Sequence, residues 1–445
     1  MVKRIGYLYE KVYDKNNLLE AHYKARKDKG HYPEVRRVDA NLEKCIDEIH
    51  DMLKSGSYTF RSEEYRTKKI VDKGKERVLH IAPYYPHRII QWAIILVIGD
   101  ELKKRFIPTT YASVEGKGQL KASLDLRKAL KHNSHYLQMD VRKFYPSIDR
   151  GIAKGQLRRL LKDDKLLRLL DTIIDSSPGE SGLPLGSLLS QWLGNWYLTP
   201  LDRYIKQNLR VKHYYRYCDD LVILGNSREE LNRYLDKVLY YTRRNLKLDI
   251  KPSYRLREID QGIDFVGYVH YKNKTLLRRR NKYAIRSLYH KLNNKTKHDD
   301  LTPMDISRLS AYIGWVKHCD CDGLRTKYID PILERWESMY YTNRVVQSDS
   351  KPKELDITPT AVYVRSDIKK RKRTDDEKEY VYYEYKESKY NKDEYIEILT
   401  KTNNDLGQEF AKEKIFGMQK DATMLGIGQE LAKVKLDVML LKGGE

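Results

Sequence analysis

Between residues 1 and 60, apolar positions recur at helical spacing among charged neighbours, as at Leu42, Ile46, Ile49, Met52 and Leu53. That spacing predicts short amphipathic helices. From 66 to 83 the pattern shortens to strand-like alternation, RTKKIVDKGKERVLHIAP, which predicts a basic hairpin around a Lys73-Gly74-Lys75 turn. A helix is expected after Pro86, with the proline at its first position and Ile89, Trp92, Ile95 and Leu96 turned inward. It contains the longest apolar run, Trp92 to Gly99, which is bounded by Gln91 and Asp100-Glu101. That run is too short to span a bilayer and reads as a buried helix. A strand at 136–141 (YLQMDV), helices through about 152–176 and a Gly/Pro-rich loop at 178–186 come next. Then come a helix at 187–208, a hairpin at 213–225, a helix at 228–246, and short strands at 251–257 and 263–270. A helical stretch led by Arg278-Arg279-Arg280 runs to about 345.

Beyond 346 the pattern weakens. SDSKPKELDITPTA holds two prolines and little that is apolar, the signature of a linker. The following AVYVRSDIKKRKRTDDEKEYVYYEYKESKY reads as two strands joined by a charged turn, with Lys369–Arg373 and Asp375-Asp376-Glu377 in the turn. Leu425, Leu431, Val434, Val438 and Leu441 then predict a terminal helix. No internal repeat is visible.

Charge narrows the function. Lys and Arg total 86 against 63 Asp and Glu, a formal charge of +23 over 445 residues, so a polyanion such as nucleic acid is the expected partner. Hydrophobic residues at 40% and 36 tyrosines exclude a wholly disordered chain. Four scattered cysteines give no disulfide framework and fit a reducing cytosol. Cys319-x-Cys321 beside His318 lacks the second ligand pair of a zinc site. The opening MVKRIGYLYEKVYDK lacks the apolar core of a secretory signal.

The sharpest chemical feature is Tyr217-Cys218-Asp219-Asp220 between apolar strand residues. Strict alternation would put Tyr217 and Asp219 on one face and Cys218 and Asp220 on the other, unless a turn intervenes. Adjacent acids in a hairpin tip repel, and a divalent cation relieves the repulsion. Asp140 ends a second strand, where the alternative role is a helix cap for the residues that follow. With helices and a Gly-rich loop between them, the two strands can bring Asp140 and Asp219 onto one sheet. Two metals held there would activate a 3′-hydroxyl and stabilise a pyrophosphate leaving group. The third element is Gly182-Leu183-Pro184-Leu185-Gly186-Ser187-Leu188-Leu189-Ser190-Gln191, whose glycines allow close approach of a nucleotide.

In this order the residues resemble a reverse transcriptase over about 1–340. Asp140–Asp149 stands as the first acidic motif, Gly182–Asn195 as the loop-helix motif and Tyr217–Asp220 as the YxDD box. Gly262–Tyr268 resembles the primer-grip hairpin, and Ser310–Asp320 is similar to thumb helices of bacterial members. The resemblance implies an α+β right-hand polymerase with fingers at 1–135, a palm of antiparallel sheet on helices at 136–270 and a helical thumb at 271–345. A linker and a small C-terminal α+β module occupy 346–445. The module resembles small phage virion-associated proteins and is assigned no activity.

The resemblance also implies a site. Asp140, Asp219 and Asp220 are its catalytic carboxylates and, with Val141, its metal set for two Mg²⁺ ions. Lys251 falls where family members place a lysine thought to protonate pyrophosphate. Lys75 and Arg77 of the basic hairpin would contact the triphosphate of the dNTP. Leu185, Gly186 and Gln191 would line the nucleotide. Tyr145 aligns with the ribose gate, where its ring would strike a 2′-hydroxyl and so favour DNA synthesis. Asp149 reads as a helix cap rather than a ligand. Leu185-Gly186 and Ser190-Gln191 replace the usual Gln-Gly and Ser-Pro, as in reverse transcriptases of diversity-generating retroelements of bacteria and phages. Those enzymes make error-prone cDNA from a template RNA, with a small basic accessory protein, in the bacterial cytoplasm. Retrons, group II introns and phage-defence enzymes, including template-independent or protein-primed ones, share the palm. A catalytically silent nucleic-acid-binding scaffold is the third reading.

Overall fold

The computed structural model describes residues 4–72, 75–296, 302–334, 369–375, 378–385 and 388–390. Four helices lead: α1 (Tyr9–Tyr13), α2 (Lys15–Arg26), α3 (Pro33–Asp39) and α4 (Leu42–Ser55). In α4 the periodic Ile46, Ile49 and Leu53 are buried. The helix stops at Gly56, whose φ of 75° only glycine adopts without strain, and Ser57 N then bonds back to Met52 O at 3.0 Å. The basic hairpin follows as β1 (Arg66–Asp72) and β2 (Lys75–Ile81), antiparallel as the alternation predicts. Next come α5 (Ile89–Lys103) and α6 (Gln119–Leu130). Pro86 does not open α5; it sits in the irregular turn Tyr84–Arg88 that precedes it. Trp92 and Leu96 are only half-buried, while Ala93, Ile94 and Ile98 are fully buried. The reason is that α5 packs against α1, α2 and the later helix Leu188–Arg203 at once, so burial is not confined to one stripe.

The elements that position the site begin with β3 (His135–Asp140), α7 (Phe144–Ser147), α8 (Arg150–Leu160), α9 (Asp164–Asp175) and α10 (Leu188–Arg203). The hairpin β4 (His213–Tyr217) and β5 (Asp220–Gly225), α11 (Arg228–Leu246) and β6 (Arg255–Glu258) complete them. The expected strand at 251–257 begins only at Arg255, because Pro252 has no amide hydrogen for a ladder. The four strands form one antiparallel sheet in the order β4-β5-β3-β6. Leu137, Met139, Leu221, Ile223 and Tyr214 face the main hydrophobic core. Tyr136, Gln138 and Asp140 alternate onto the opposite face, where Tyr136 Oη donates to Gly262 O at 3.1 Å. Both faces of β5 are therefore covered, which accounts for its unbroken apolar run Leu221–Leu224.

A small sheet of β7 (Ile263–Phe265), β8 (Tyr268–His270) and β9 (Thr275–Leu277) leads into α12 (Arg279–Thr296), α13 (Pro303–Val316) and α14 (Asp322–Tyr328). The chain divides into two compact units, Met1–Arg286 with Gly314–Arg325 and Ser287–Ile313 with Thr326–Glu445. In the second unit β10 (Lys369–Asp375), β11 (Lys378–Tyr385) and β12 (Ser388–Tyr390) pair antiparallel. Lys369–Arg373 is thus a strand, not a turn. The register sets Lys369 opposite Glu384 and Asp375 opposite Lys378. The linker, residues 361–368 of the expected two-stranded segment and the terminal helix lie outside the described residues. Among the described residues no helix is long and apolar enough to cross a membrane.

Candidate active site

Two strand ends build the centre. Asp140 closes β3 and lies directly opposite Asp220, the first residue of β5. Tyr217 also pairs with Asp220, so Cys218 and Asp219 form a two-residue turn. Cys218 takes a left-handed φ of 55° at the first turn position, which matches the tight hairpins that follow strand twist. The turn resets alternation: Tyr217 and Asp220 share one face with Asp140, and Asp219 occupies the tip. Val141 N donates to Asp219 O at 3.2 Å, tying the tip to the end of β3. Val141 itself is fully buried and bridges to Ile250, so only its main-chain carbonyl can serve as a ligand.

The electrostatics follow from crowding. Burial, then the neighbouring Asp140 charge, pushes the Asp219 carboxyl above its usual range. Burial pushes Asp220 up to about 7, with Asp140 and Asp219 adding to the shift and the bond from Gln138 Nε2 (3.1 Å) opposing it. Lys251 stands 2.6 Å from Asp140 Oδ1, and its own amide donates to Asp140 O at 2.8 Å. Oδ1 is shut off from solvent, and the Lys251 ammonium is its charge partner. Three carboxyl groups crowd around one turn, and the Lys251 ammonium balances only one of them, a charge excess that fits a cation. Among the described residues no group of three or more His, Cys, Asp or Glu side chains is placed to hold a metal ion by itself. The donor set suits an ion that takes the rest of its oxygens from water and phosphate, as magnesium does.

Tyr145 is carried by α7 at the other side of the turn. Its hydroxyl meets Cys218 Sγ at 3.5 Å, and burial first, then Cys218, raises its pKa, so the phenol stays protonated. The Gly-rich loop packs under α7: Gly182 N donates to Ile148 O and Leu183 N to Tyr145 O, both at 2.9 Å. Arg150 holds the loop from below, donating to Ser177 O at 2.7 Å, Gly179 O at 2.8 Å and Gly182 O at 3.0 Å. Leu185 is half-buried, and Gly186 is exposed with a φ of 98°. Gln191, exposed on the first turn of α10, accepts from Ser113 Oγ at 3.2 Å.

Arg77 lies on β2, and its charge lowers the Asp219 pKa, which places the hairpin within electrostatic reach of the carboxylates. Lys75 begins the same strand. Asp149 caps α8, accepting from Ile152 N at 2.8 Å, as expected of a cap. The structure thus gathers Asp140, Asp219, Asp220, Val141, Lys251 and Tyr145 around one turn. Leu185, Gly186 and Gln191 sit on the adjoining loop and helix.

Three residues of the site, Gln138, Arg216 and Asp202, lie outside every motif, and a fourth, Asn195, only closes the loop-helix motif. Gln138 bridges Asp220 Oδ1 and Asp264 O (2.9 Å), while Arg216, Asp202 and Asn195 lie beneath the turn. The available signal was a charged residue inside an apolar strand, HYYRY, and an acid inside an apolar helix.

Residues 66–269 match the reverse transcriptase (RNA-dependent DNA polymerase) family, a span that holds every one of these side chains. No curated protein sequence matches the chain. Solved structures of telomerase from Candida Tropicalis are similar at 12% identity. The apo form gives a TM-score of 0.40 over 65% of this chain and 60% of that one. The complex with the TWJ fragment of telomeric RNA gives 0.39 over 66% and 56%. The apo form truncated from its C-terminal domain gives 0.37 over 48% and 55%. The chain therefore spans little more than half the length of these structures. The segment from β1 to β8, with its carboxylates at paired strand ends, is thus the part of the chain that is similar to an RNA-dependent DNA polymerase domain of the reverse transcriptase family.

Proposed function

We propose that the chain copies a template RNA into DNA from dNTPs, and that it does so as the error-prone enzyme of a diversity-generating retroelement. The observation that carries the polymerase reading is the register pair Asp140–Asp220 with Asp219 in the adjoining turn. In this reading Asp140 and Asp219 would hold two Mg²⁺ ions, aided by Asp220 and the Val141 carbonyl. Divalent ions so bound supply Lewis-acid activation of a primer 3′-hydroxyl and neutralise charge on the triphosphate. The chain's own residues do the rest. Lys251 keeps an ammonium at Asp140, within the region where a leaving pyrophosphate needs a proton. Lys75 and Arg77 bring positive charge from the hairpin toward the triphosphate. Tyr145, braced by Cys218, excludes a 2′-hydroxyl.

The retroelement reading rests on Leu185 at the loop and on Ser190-Gln191 in α10. An aliphatic side chain at 185 offers the nucleotide no hydrogen bond, and discrimination that depends on a buried polar contact is weakened when it is missing. The implied partners are a small basic accessory protein and the template RNA, in the cytoplasm of a bacterial host. Primer extension on a defined RNA template, followed by sequencing of the cDNA, tests both levels. Template-dependent DNA with errors concentrated at template adenines is the expected product. Uniform fidelity at all four bases would remove the retroelement assignment, and a template-unrelated product would favour the phage-defence reading.

A further inference from the structure

Beneath the catalytic turn lies a fully buried ion pair that the proposed chemistry does not use. Arg216 and Asp202 are both 0% exposed. Arg216 alternates with Tyr217 along β4, so its side chain lies on the helix-packed face while Tyr217, Asp220 and Asp140 share the other. Its guanidinium is fully used. Nε donates to Asp202 Oδ1 at 2.8 Å and Nη2 to Oδ2 at 2.7 Å, a two-pronged grip on a residue of α10. Nη1 donates to Asn195 Oδ1 at 3.0 Å and to Cys218 O at 3.1 Å. Tyr214 Oη donates to Asp202 Oδ1 at 2.7 Å, and Asn195 Nδ2 donates to Ala112 O at 2.6 Å, so each partner is itself fixed.

Cys218 is the point on which this network acts. It is a non-glycine residue in the left-handed region, a conformation that costs about 1–2 kcal/mol and persists where surroundings impose it. Its carbonyl is held by Arg216 from below. Its thiol touches the Tyr145 hydroxyl at 3.5 Å. Its peptide link leads directly to Asp219. Burying a charged pair is a weak source of stability, since desolvation offsets most of the attraction, so a conformational role accounts for it better.

We infer that Arg216, gripped by Asp202 and Asn195, is a positioning residue that fixes the Cys218–Asp219 turn. It thereby sets the Asp219 carboxylate on one side and braces the Tyr145 ribose gate on the other. The inference rests on the polymerase reading for its chemical meaning, but its structural content is independent of it. Lysine at 216 keeps the charge opposite Asp202, yet it lacks the planar fork that reaches Asn195 and Cys218 O together.

The test is Arg216→Lys in the full chain, with Tyr214→Phe as a milder second variant that removes only the hydroxyl orienting Asp202. Melting temperature establishes folding, and Mn²⁺ binding is followed by electron paramagnetic resonance on enzyme with RNA template and dideoxy-terminated primer. Single-nucleotide extension gives kcat and KM for a dNTP and the matching rNTP. With melting within a few degrees of wild type, the expected result is a kcat about tenfold lower at unchanged KM. Mn²⁺ affinity should be several-fold weaker, and the preference for dNTP over rNTP should fall by at least about fivefold. The last ratio does not depend on the fraction of active enzyme. A folded variant with wild-type Mn²⁺ affinity and an unchanged dNTP/rNTP ratio overturns the inference, even if total activity drops. If Arg216→Lys does not fold, Tyr214→Phe is judged by the same criteria. Failure of the wild-type enzyme to extend any primer would count against the polymerase reading alone, and Mn²⁺ affinity would still decide the positioning role.

Discussion

Replacing Gly182 by alanine probes the joint between the Gly-rich loop and the ribose gate. Gly182 has a φ of 84°, and a Cβ there would stand 2.7 Å from Pro146 Cα and O and 2.8 Å from Pro146 C. All three are main-chain or ring-anchored atoms, so no side chain can swing aside. The loop must lift from α7, which breaks the bonds from Gly182 N to Ile148 O and from Leu183 N to Tyr145 O. The left-handed φ costs alanine about 1–2 kcal/mol, and each lost hydrogen bond about 1 kcal/mol, so the expected destabilisation is roughly 3 kcal/mol. Gly155→Ala is the matched control. That glycine lies within α8, nothing stands within 4 Å of its would-be Cβ, and alanine there should stabilise by about 0.5–1 kcal/mol. Urea unfolding of both variants measures the difference, with the slope checked for two-state behaviour. A Gly182→Ala chain within about 0.5 kcal/mol of wild type would refute the packing argument, because strain alone exceeds that.

Two further outcomes follow from charge. Burial holds the His270 imidazole down to about 4 from its ordinary 6.5, so the unfolded chain takes up a proton that the folded one refuses. This contribution is fully present above pH 6.5 and is lost as pH falls toward 4, amounting to about 2.5 kcal/mol at pH 4.5. His270→Gln should flatten that limb of a urea-midpoint profile between pH 7.5 and 4.5; an unchanged limb would mean another group carries it. Arg77→Ala should raise KM for the incoming dNTP about tenfold, the worth of one charge-assisted bond, while template–primer affinity stays within about twofold. A fall in kcat at constant KM would place Arg77 in a different role.

The sequence made the palm strands legible because the site depends on local order. YLQMD is a strand pattern ending in an acid, HYYRYCDDLVILG is two strand patterns meeting at a pair of acids, and β3, β4, β5 and α11 lie where these patterns put them. The face assignment was not legible. A two-residue turn at Cys218–Asp219 shifts the phase of alternation, and nothing in the composition of the turn announces a left-handed cysteine. The interior of α5 was also opaque in part, since contacts on several sides erase the stripe that periodicity relies on. Gln138 and the Arg216–Asp202–Asn195 network escaped because their partners are 14 to 126 residues away in the chain. Long-range pairing of buried polar groups is set by the tertiary fold, not by spacing. At Lys369–Asp375 the run of like charges concealed a strand that pairs antiparallel with Lys378–Tyr385.

The central claim is that the carboxylates at the end of β3 and in the β4–β5 turn perform nucleotide transfer. Asp219→Asn keeps the shape of the side chain and removes its charge, so it isolates that claim from folding. The account predicts RNA template–primer binding within about twofold of wild type and dNTP incorporation slowed by about a thousandfold or more. Incorporation at the wild-type rate by this variant, in a preparation that binds template–primer normally, would contradict it.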